Sequence, residues 1–501
     1  MPALSSIDLA MFTSETRQRP FNIGPLVLLR PPEGFKGHFA DKLHAKLLRR
    51  PPGPPFNYRL QMQLGRAPSV EPMANPDIRA HVHRLTLNQA STDQLFRKVC
   101  ELHETLLDRS GMLWQFYVID GLADGRVALY GKVHHGIIDG RTFVKMVTQW
   151  VSLDPKEREV RAMWDGVARR TSSHAKRAGL VQTLLNAGAQ ATGLLRSVAG
   201  VSALLAEQGL RSAGLGDGLP LPFLKVPDAF DGKLSAKRAL AYCTLPLAEV
   251  KALGKAHGAT VNDMLLTVLD MGMQGYLAKG GKTPAVPLVA DMPVALAEGA
   301  KGGNQIAVLQ FPLGQAGASV AERLAAIRAE TGRLKAALGK RGSDTVMLYT
   351  TLVHALPLLV EKIAAKAAPR LSNLLVSNPF GLAQQPYLMG AAVELALPVS
   401  VLPAGYKLNI TAVTLGPRLQ IAFLAMPDAV PQIERLARLT EQAFDELKAA
   451  LAPAAELSAP KAQASVRKAP AKKASAAKAA EARKAPARPG TPRKTRAARA
   501  A

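Results

Sequence analysis

Two periodicities organise the chain. Across residues 126–135, Val127, Leu129, Val133 and His135 share one parity, and Tyr130, Lys132 and His134 the other. A period of two predicts a strand; if it runs to residue 135, the two adjacent histidines point to opposite faces. Beyond it, Phe143, Val144, Val147 and Val151 mark the next helix, with Asp139 at its predicted N-cap. Short apolar runs predict strands at 26–29, 239–245, 286–290, 306–311, 374–376 and 419–424. Amphipathic spacing predicts helices at 319–338 and 430–451. Another helix opens after Thr260, where Asp263 three residues on completes a capping-box pattern. Strands and helices alternate irregularly in two halves, which predicts an α/β protein with mixed sheets.

Between the halves the composition shifts. Residues 178–210 are small or apolar, with Leu180, Leu184, Leu185, Leu194 and Leu195 at roughly helical spacing; residues 214–227 are rich in Gly and Pro. The expected organisation is an N-terminal domain at 1–155, a helical and loop linker at 156–235, a C-terminal domain at 236–452 and a tail at 453–501. That tail is built from Ala, Lys, Arg, Pro and Ser and has no aromatic residue. Such a composition buries too little apolar surface to offset chain entropy, so the tail is expected to be disordered.

Composition narrows the classes further. Of 501 residues, 48% are apolar and 20% charged, which excludes collagen-like and wholly disordered chains. Cys100 and Cys243 are too few for a disulfide framework, and no secretory signal precedes them, so reduced thiols in a cytoplasmic protein are expected. The most apolar run, 346–360, is too short to span a bilayer and contains His354 and Pro357. The net charge is +26, of which the tail holds +11, leaving +15 on the body. This excess favours an anionic partner: nucleic acid, an acidic membrane surface or a phosphorylated small molecule.

The densest chemistry is His134-His135-Gly136-Ile137-Ile138-Asp139-Gly140. A strand-end histidine, a glycine turn and an anchoring carboxylate suit a general base, since imidazole titrates near neutrality. The competing reading is a structural histidine pair with Asp139 as a helix cap. Other signals are weaker. Gly280-Gly281-Lys282-Thr283 lacks the first P-loop glycine, position 276 being Tyr276. His81 and His83 read as alternating strand residues rather than metal ligands, and no metal site is expected. Met271 and Met273 read as helix core, and there is no Gly-x-Ser-x-Gly elbow.

The seven-residue string is similar to the His-His-x-x-x-Asp-Gly motif of acyl-CoA-dependent acyltransferases with the chloramphenicol-acetyltransferase-like fold. Its surroundings resemble the bacterial wax ester synthase/diacylglycerol acyltransferase family over residues 4 to 450. Leu4-Ser5-Ser6-Ile7-Asp8, Pro20-Phe21-Asn22-Ile23-Gly24, Leu113-Trp114 and Val118-Ile119-Asp120-Gly121-Leu122 carry the N-terminal resemblance. Thr260-Val261-Asn262-Asp263, Gly303-Asn304, Ser377-Asn378 and Leu408-Asn409-Ile410-Thr411 follow in family order. The chain departs from the family at Met112, where Pro is usual, in Ser377-Asn378-Pro379-Phe380-Gly381-Leu382, and in lacking Ser-Tyr after Thr411.

The resemblance implies two chloramphenicol-acetyltransferase-like mixed-sheet domains with the active site in a channel between them. It makes His135 the base, supported by His134, Asp139, Gly140 and Asn262, with Asp263, Ser377 and Asn378 as candidates for the substrate channel. Asp263 also reads as a helix cap, and Ser377-Asn378-Pro379 as a turn. The implied reaction moves a fatty acyl group from acyl-CoA, a substrate rather than a cofactor, to diacylglycerol or a long-chain alcohol. No cofactor is expected. The enzyme would sit peripherally at an anionic membrane or lipid-droplet surface, the tail supplying charge. The alternative is a catalytically weak lipid-surface or nucleic-acid binding protein acting through its tail; a thioesterase using water is a third reading.

Overall fold

The computed structural model describes residues 6–62, 68–138, 140–166, 180–295, 306–363 and 370–452. The first half contributes α1 (Ser6–Ser14), β1 (Asn22–Arg30), α2 (Phe39–Leu47), β2 (Tyr58–Gln61), β3 (Ser69–Pro72), β4 (Val82–Ala90) and α3 (Thr92–Glu104). It continues with β5 (Trp114–Leu122), β6 (Val127–His134) and α4 (Gly140–Trp150). The small-residue stretch forms one long helix, α5 (Leu180–Ser212). The second half opens with β7 (Ala239–Pro246), α6 (Leu247–Ala256), α7 (Val261–Lys279), β8 (Val289–Ala295), β9 (Ile306–Pro312), α8 (Val320–Gly339) and α9 (Ser343–Ile363). It closes with β10 (Leu374–Leu382), β11 (Tyr387–Leu388), β12 (Ala391–Val399), β13 (Leu408–Leu415), β14 (Arg418–Ala425) and α10 (Ile433–Leu451).

Two six-stranded mixed sheets carry the α/β fold, ordered β11-β12-β1-β6-β5-β4 and β7-β14-β13-β10-β8-β9. Sheet membership does not follow the expected division at the linker. β12 comes from the second half but pairs antiparallel with β1, from Gly24 opposite Val399 to Arg30 opposite Ala392. The two halves thus share a strand within one compact unit, Met1–Ala452.

β1 is buried on both faces, which is why its sequence is continuously apolar rather than alternating. Leu26 and Leu28 join a core shared with the second half, whereas Val27 and Leu29 join an outer core with Trp114, Trp150 and Trp164. β6 divides likewise: Ala128 and Tyr130 face the shared core, Val127, Leu129 and Val133 the outer one. Local rules set several helix starts. Ser91 with Gln94, Thr260 with Asp263 and Ser319 with Glu322 form capping boxes at α3, α7 and α8.

Two strands differ from expectation. β8 starts after Pro287 and runs on to Ala295 through Asp291, a charged residue that breaks the apolar run. Asp291 is fully buried because neighbouring side chains donate to it. β10 continues past the Ser377-Asn378-Pro379 turn signal to Leu382, absorbing the proline in a register shift between Ser377 and Phe380. The expected disorder of 453–501 concerns residues outside those described.

Candidate active site

β6 carries Tyr130, Lys132 and His134 on the face turned toward the second half. The ladder ends at His134, and His135–Ile137 form a 3-10 turn, so strand parity does not govern His135. The His135 N–H donates to the Phe21 carbonyl (2.8 Å), and the Gly136 N–H turns back to donate to His134 Nδ1 (3.0 Å). Only glycine fits at 136. A Cβ there would lie 2.7 Å from the Phe12 ring and 3.1 Å from His134 Nδ1. α1 packs on this turn.

His134 is fully buried and stacked on Phe12, with ring centroids 4.1 Å apart and planes 2° from parallel. Its N–H donates to the Leu113 carbonyl (3.0 Å), which links the Leu113-Trp114 motif to the histidines. Because Nδ1 accepts from Gly136, the ring proton belongs on Nε2, which faces Glu15 Oε1 at 3.5 Å. Glu15 accepts from the Phe21 N–H (2.9 Å) and from Arg109 Nη2 (3.0 Å). Burial alone would raise the Glu15 pKa. The His134 ring proton facing it, the Phe21 amide and Arg109 outweigh it, holding the carboxyl below its usual range. Arg109 Nη2 also donates to the Phe12 carbonyl (2.7 Å). Glu15 therefore faces the His134 ring and holds the N–H of Phe21, the residue whose carbonyl accepts from the His135 N–H.

His135 is half-buried, and its Nδ1 makes no well-formed hydrogen bond among the described residues. Burial is the largest influence on the ring and lowers its pKa; the carbonyls of His135 and Ile138 and the Asp8 carboxylate oppose this without cancelling it. The imidazole is neutral at physiological pH, the form a base requires.

A second polar layer backs the histidine strand. Lys132 Nζ donates to Leu102 O (2.8 Å), Thr105 O (2.9 Å) and Thr105 Oγ1 (2.7 Å). Burial lowers its pKa to about 8. Asn22 Nδ2 donates to His103 O and Thr105 O, both at 2.9 Å. Together they satisfy carbonyls that the end of α3 would otherwise leave orphaned. His103, pushed down to about 3 by burial, is neutral. It donates from Nε2 to Ser400 O (3.0 Å) and accepts at Nδ1 from Tyr130 OH (2.7 Å).

The candidate channel residues divide. Ser377 Oγ bonds Thr411 Oγ1 (3.0 Å), which donates to Asn409 Oδ1 (3.2 Å). Asn409 Nδ2 reaches Ser400 Oγ (3.0 Å) and Val401 O (2.8 Å). Ser377 is thus joined through Ser400 and His103 to the histidine strand. Asn378 is exposed on β10, the strand against which α4 packs. Gly140 opens α4 as expected, and Asp139 lies outside the described residues.

Asp263 is a cap: its Oδ2 accepts from Thr260 N–H and Oγ1, both at 2.8 Å. The structure does not bring Asn262 or Asp263 to the histidine turn. α7 begins beside the end of α10, where His257 Nε2 bonds Leu451 O (3.0 Å) and Lys448 pairs with Glu249 just past β7. That is the Pro246 end of the second sheet, whereas Ser400 and Asn409 lie at the opposite end, beside the histidine strand. His81 and His83 serve the fold, His81 Nδ1 meeting Trp114 O (2.7 Å) and His83 meeting Gln115. Sequence reasoning missed Phe12, Glu15, Arg109 and His103. The available signal was the i, i+3 pair Phe12 and Glu15 just ahead of the Pro20–Gly24 motif.

Two family models match most of the chain. The wax ester synthase/diacylglycerol acyltransferase catalytic domain covers residues 4–265, and its C-terminal domain covers residues 302–448. The chain belongs to the wax ester synthase/diacylglycerol acyltransferase family. The Mycobacterium tuberculosis protein called probable diacylglycerol O-acyltransferase Tgs4 is 34% identical over 464 residues, covering 89% of this chain and 97% of that one. A solved wax ester synthase/diacylglycerol acyltransferase from Marinobacter aquaeolei VT8 shares the fold, with a TM-score of 0.67 and 23% identity over 90% of this chain and 100% of that one. So does the first condensation domain of the calcium-dependent antibiotic synthetase, with a TM-score of 0.52 and 19% identity over 90% and 96%.

Proposed function

We propose that His135 is the general base of a direct transfer from acyl-CoA to the hydroxyl of diacylglycerol or a long-chain alcohol. The observation that carries this reading is the division of labour between the two histidines. The His134 ring accepts from Gly136 at Nδ1, faces Glu15 at 3.5 Å through Nε2 and is stacked on Phe12, while His135 is held by its backbone and keeps a neutral ring. With Nδ1 turned toward backbone carbonyls, Nε2 takes the proton from the acceptor hydroxyl. The alkoxide oxygen bonds to the thioester carbonyl carbon, and the tetrahedral intermediate expels CoA thiolate as the C–S bond breaks. The imidazolium returns its proton to that thiolate. No acyl-enzyme is required, because the thioester is already activated.

Asp139 would hold the turn, and Asn378 is the candidate channel residue best placed beside α4. The choice of acceptors is supported by the family and by the names borne by the Mycobacterium and Marinobacter relatives. We place the enzyme in the cytoplasm, peripherally at a lipid surface, on the strength of its lipid acceptors; no helix among the described residues is long and apolar enough to cross a membrane. The +11 tail would add attraction to anionic lipid. The test is the product profile of purified protein given palmitoyl-CoA with a diacylglycerol, with a fatty alcohol, or with neither. Triacylglycerol or wax ester is expected. Free palmitate as the sole product would make the protein a thioesterase, and no product at all would support the binding-protein alternative.

A further inference from the structure

The longest helix among the described residues turns an apolar face to water. On α5, Leu195, Val198, Leu205 and Leu210 fall within an arc of about 140° and are 41–69% exposed. The buried residues of the same stretch, Val201, Leu204 and Gln208, lie on the opposite side. Its charged residues, Arg196, Glu207 and Arg211, lie together to one flank, so the outward arc carries no charge. α9 packs against α5, Gly200 abutting Thr345 and Gln208 Nε2 donating to Tyr349 OH (2.8 Å). It adds Leu352 and Leu356, 54% and 43% exposed. Most large exposed apolar residues of the described chain therefore sit on two adjoining helices. Scattered exposed leucines need no explanation, but an uncharged apolar arc along one helix does.

The flanking charge selects the occupant. No acidic residue occurs from 166 to 206, while Arg169, Arg170, Lys176, Arg177 and Arg196 do. An uncharged, apolar helix face introduced by a basic segment matches a layer with anionic headgroups over hydrocarbon. A second copy of this chain would bring its own net positive charge. We infer that the outward face of α5 and the adjoining face of α9 dock the protein on an anionic lipid surface. This rests on the lipid-acceptor reading of the reaction and assigns the docking to the folded body rather than to the tail alone. The opposite side of α9 is tied to the second sheet. His354 of α9 holds Asp291 of β8, which pairs with Leu375, two residues before Ser377.

Flotation of the full-length chain with phosphatidylglycerol/phosphatidylcholine vesicles tests this. The variant Leu195→Gln/Val198→Gln/Leu205→Gln/Leu352→Gln alters only exposed positions. It should bind vesicles at least about tenfold more weakly, since each buried aliphatic side chain contributes substantially to partitioning. Its turnover of a soluble short-chain alcohol should equal wild type. As a second readout, Leu205→Trp should show a blue shift on adding anionic vesicles and a smaller one with phosphatidylcholine alone. Undiminished binding by the quadruple variant, or no Trp shift, would overturn the inference. So would loss of all vesicle binding on deleting 453–501, or a fall in oligomeric state of the quadruple variant with binding unchanged. Lost binding together with no acyl transfer to any acceptor, in wild type too, would leave the docking face standing and the proposed reaction refuted.

Discussion

His134 and His354 both face a buried carboxylate, Glu15 and Asp291, and the wiring around the rings is opposite. In the first half, His134 Nδ1 accepts from a backbone amide, so the ring has only one proton to offer Glu15. In the second, His354 Nε2 meets Asp291 Oδ2 at 3.0 Å while Nδ1 meets the Thr350 carbonyl at 2.8 Å. Two acceptors require two donors, and His354 is an imidazolium. Burial works against that charge, but the Asp291 bond and charge and the Thr350 carbonyl win, raising the pKa. Asp291 also accepts from Gln310 Nε2 (2.9 Å) and from Tyr406 OH. One pair lies beside the turn that carries the neutral His135 ring; the other is a charged clamp between a helix and a strand. A histidine beside a carboxylate is thus not by itself a catalytic signature. What the other ring nitrogen meets decides its role.

Removing the base should give the largest effect. His135→Ala should lose about 10²–10⁴-fold in kcat with the fold intact by circular dichroism. Near-wild-type turnover would end the mechanism. Next comes the clamp. Asp291→Asn strands a buried imidazolium, and breaking a buried pair costs about 3–5 kcal/mol. Denaturant titration should show that loss, while specific activity of the folded fraction stays constant. A selective loss of activity would mean that the clamp serves the chemistry.

Glu15→Ala should separate the pairs in the other direction. It releases both the His134 ring and the N–H of Phe21, whose carbonyl anchors His135, and small misplacements of this kind cost about 10²-fold. The fall should be in kcat, with KM for acyl-CoA unchanged, and Glu15→Gln should recover part of it through its amide oxygen. Equal drops in stability and activity, with no kcat–KM split, would reduce Glu15 to a structural role. The smallest effect is in pH dependence. The pKa of His354 is raised in the folded state, so its contribution is fully present below the unfolded value of about 6.5 and fades as pH rises through the folded value. The Tm gap between wild type and His354→Gln should narrow from pH 6 to pH 9. A gap that widens would contradict the imidazolium assignment.

Features carried by local patterns were legible in the sequence. The capping box at Thr260, the alternation of β6, the long helix after residue 178 and the motif itself need only neighbours within a few residues. Glu15 with His134, His103 with Ser400 and Asp291 with His354 span from 63 to almost 300 positions, and no periodicity reports such pairs. The end of the strand at His134 was likewise invisible, because it depends on the carbonyl of Phe21 on another element. Asn262 could be placed on a helix start from sequence, but not at an end of a sheet.

The strand that the second half lends to the first has a consequence for synthesis. β1 emerges early, yet its partner β12 lies more than 360 residues further along. At about 5–20 residues per second, β1 would wait roughly 20–70 s with one row of amides and carbonyls unpaired. A ribosome-bound or truncated first half is therefore an open-edged, aggregation-exposed species, and it can close its sheet only when almost the whole body has been translated.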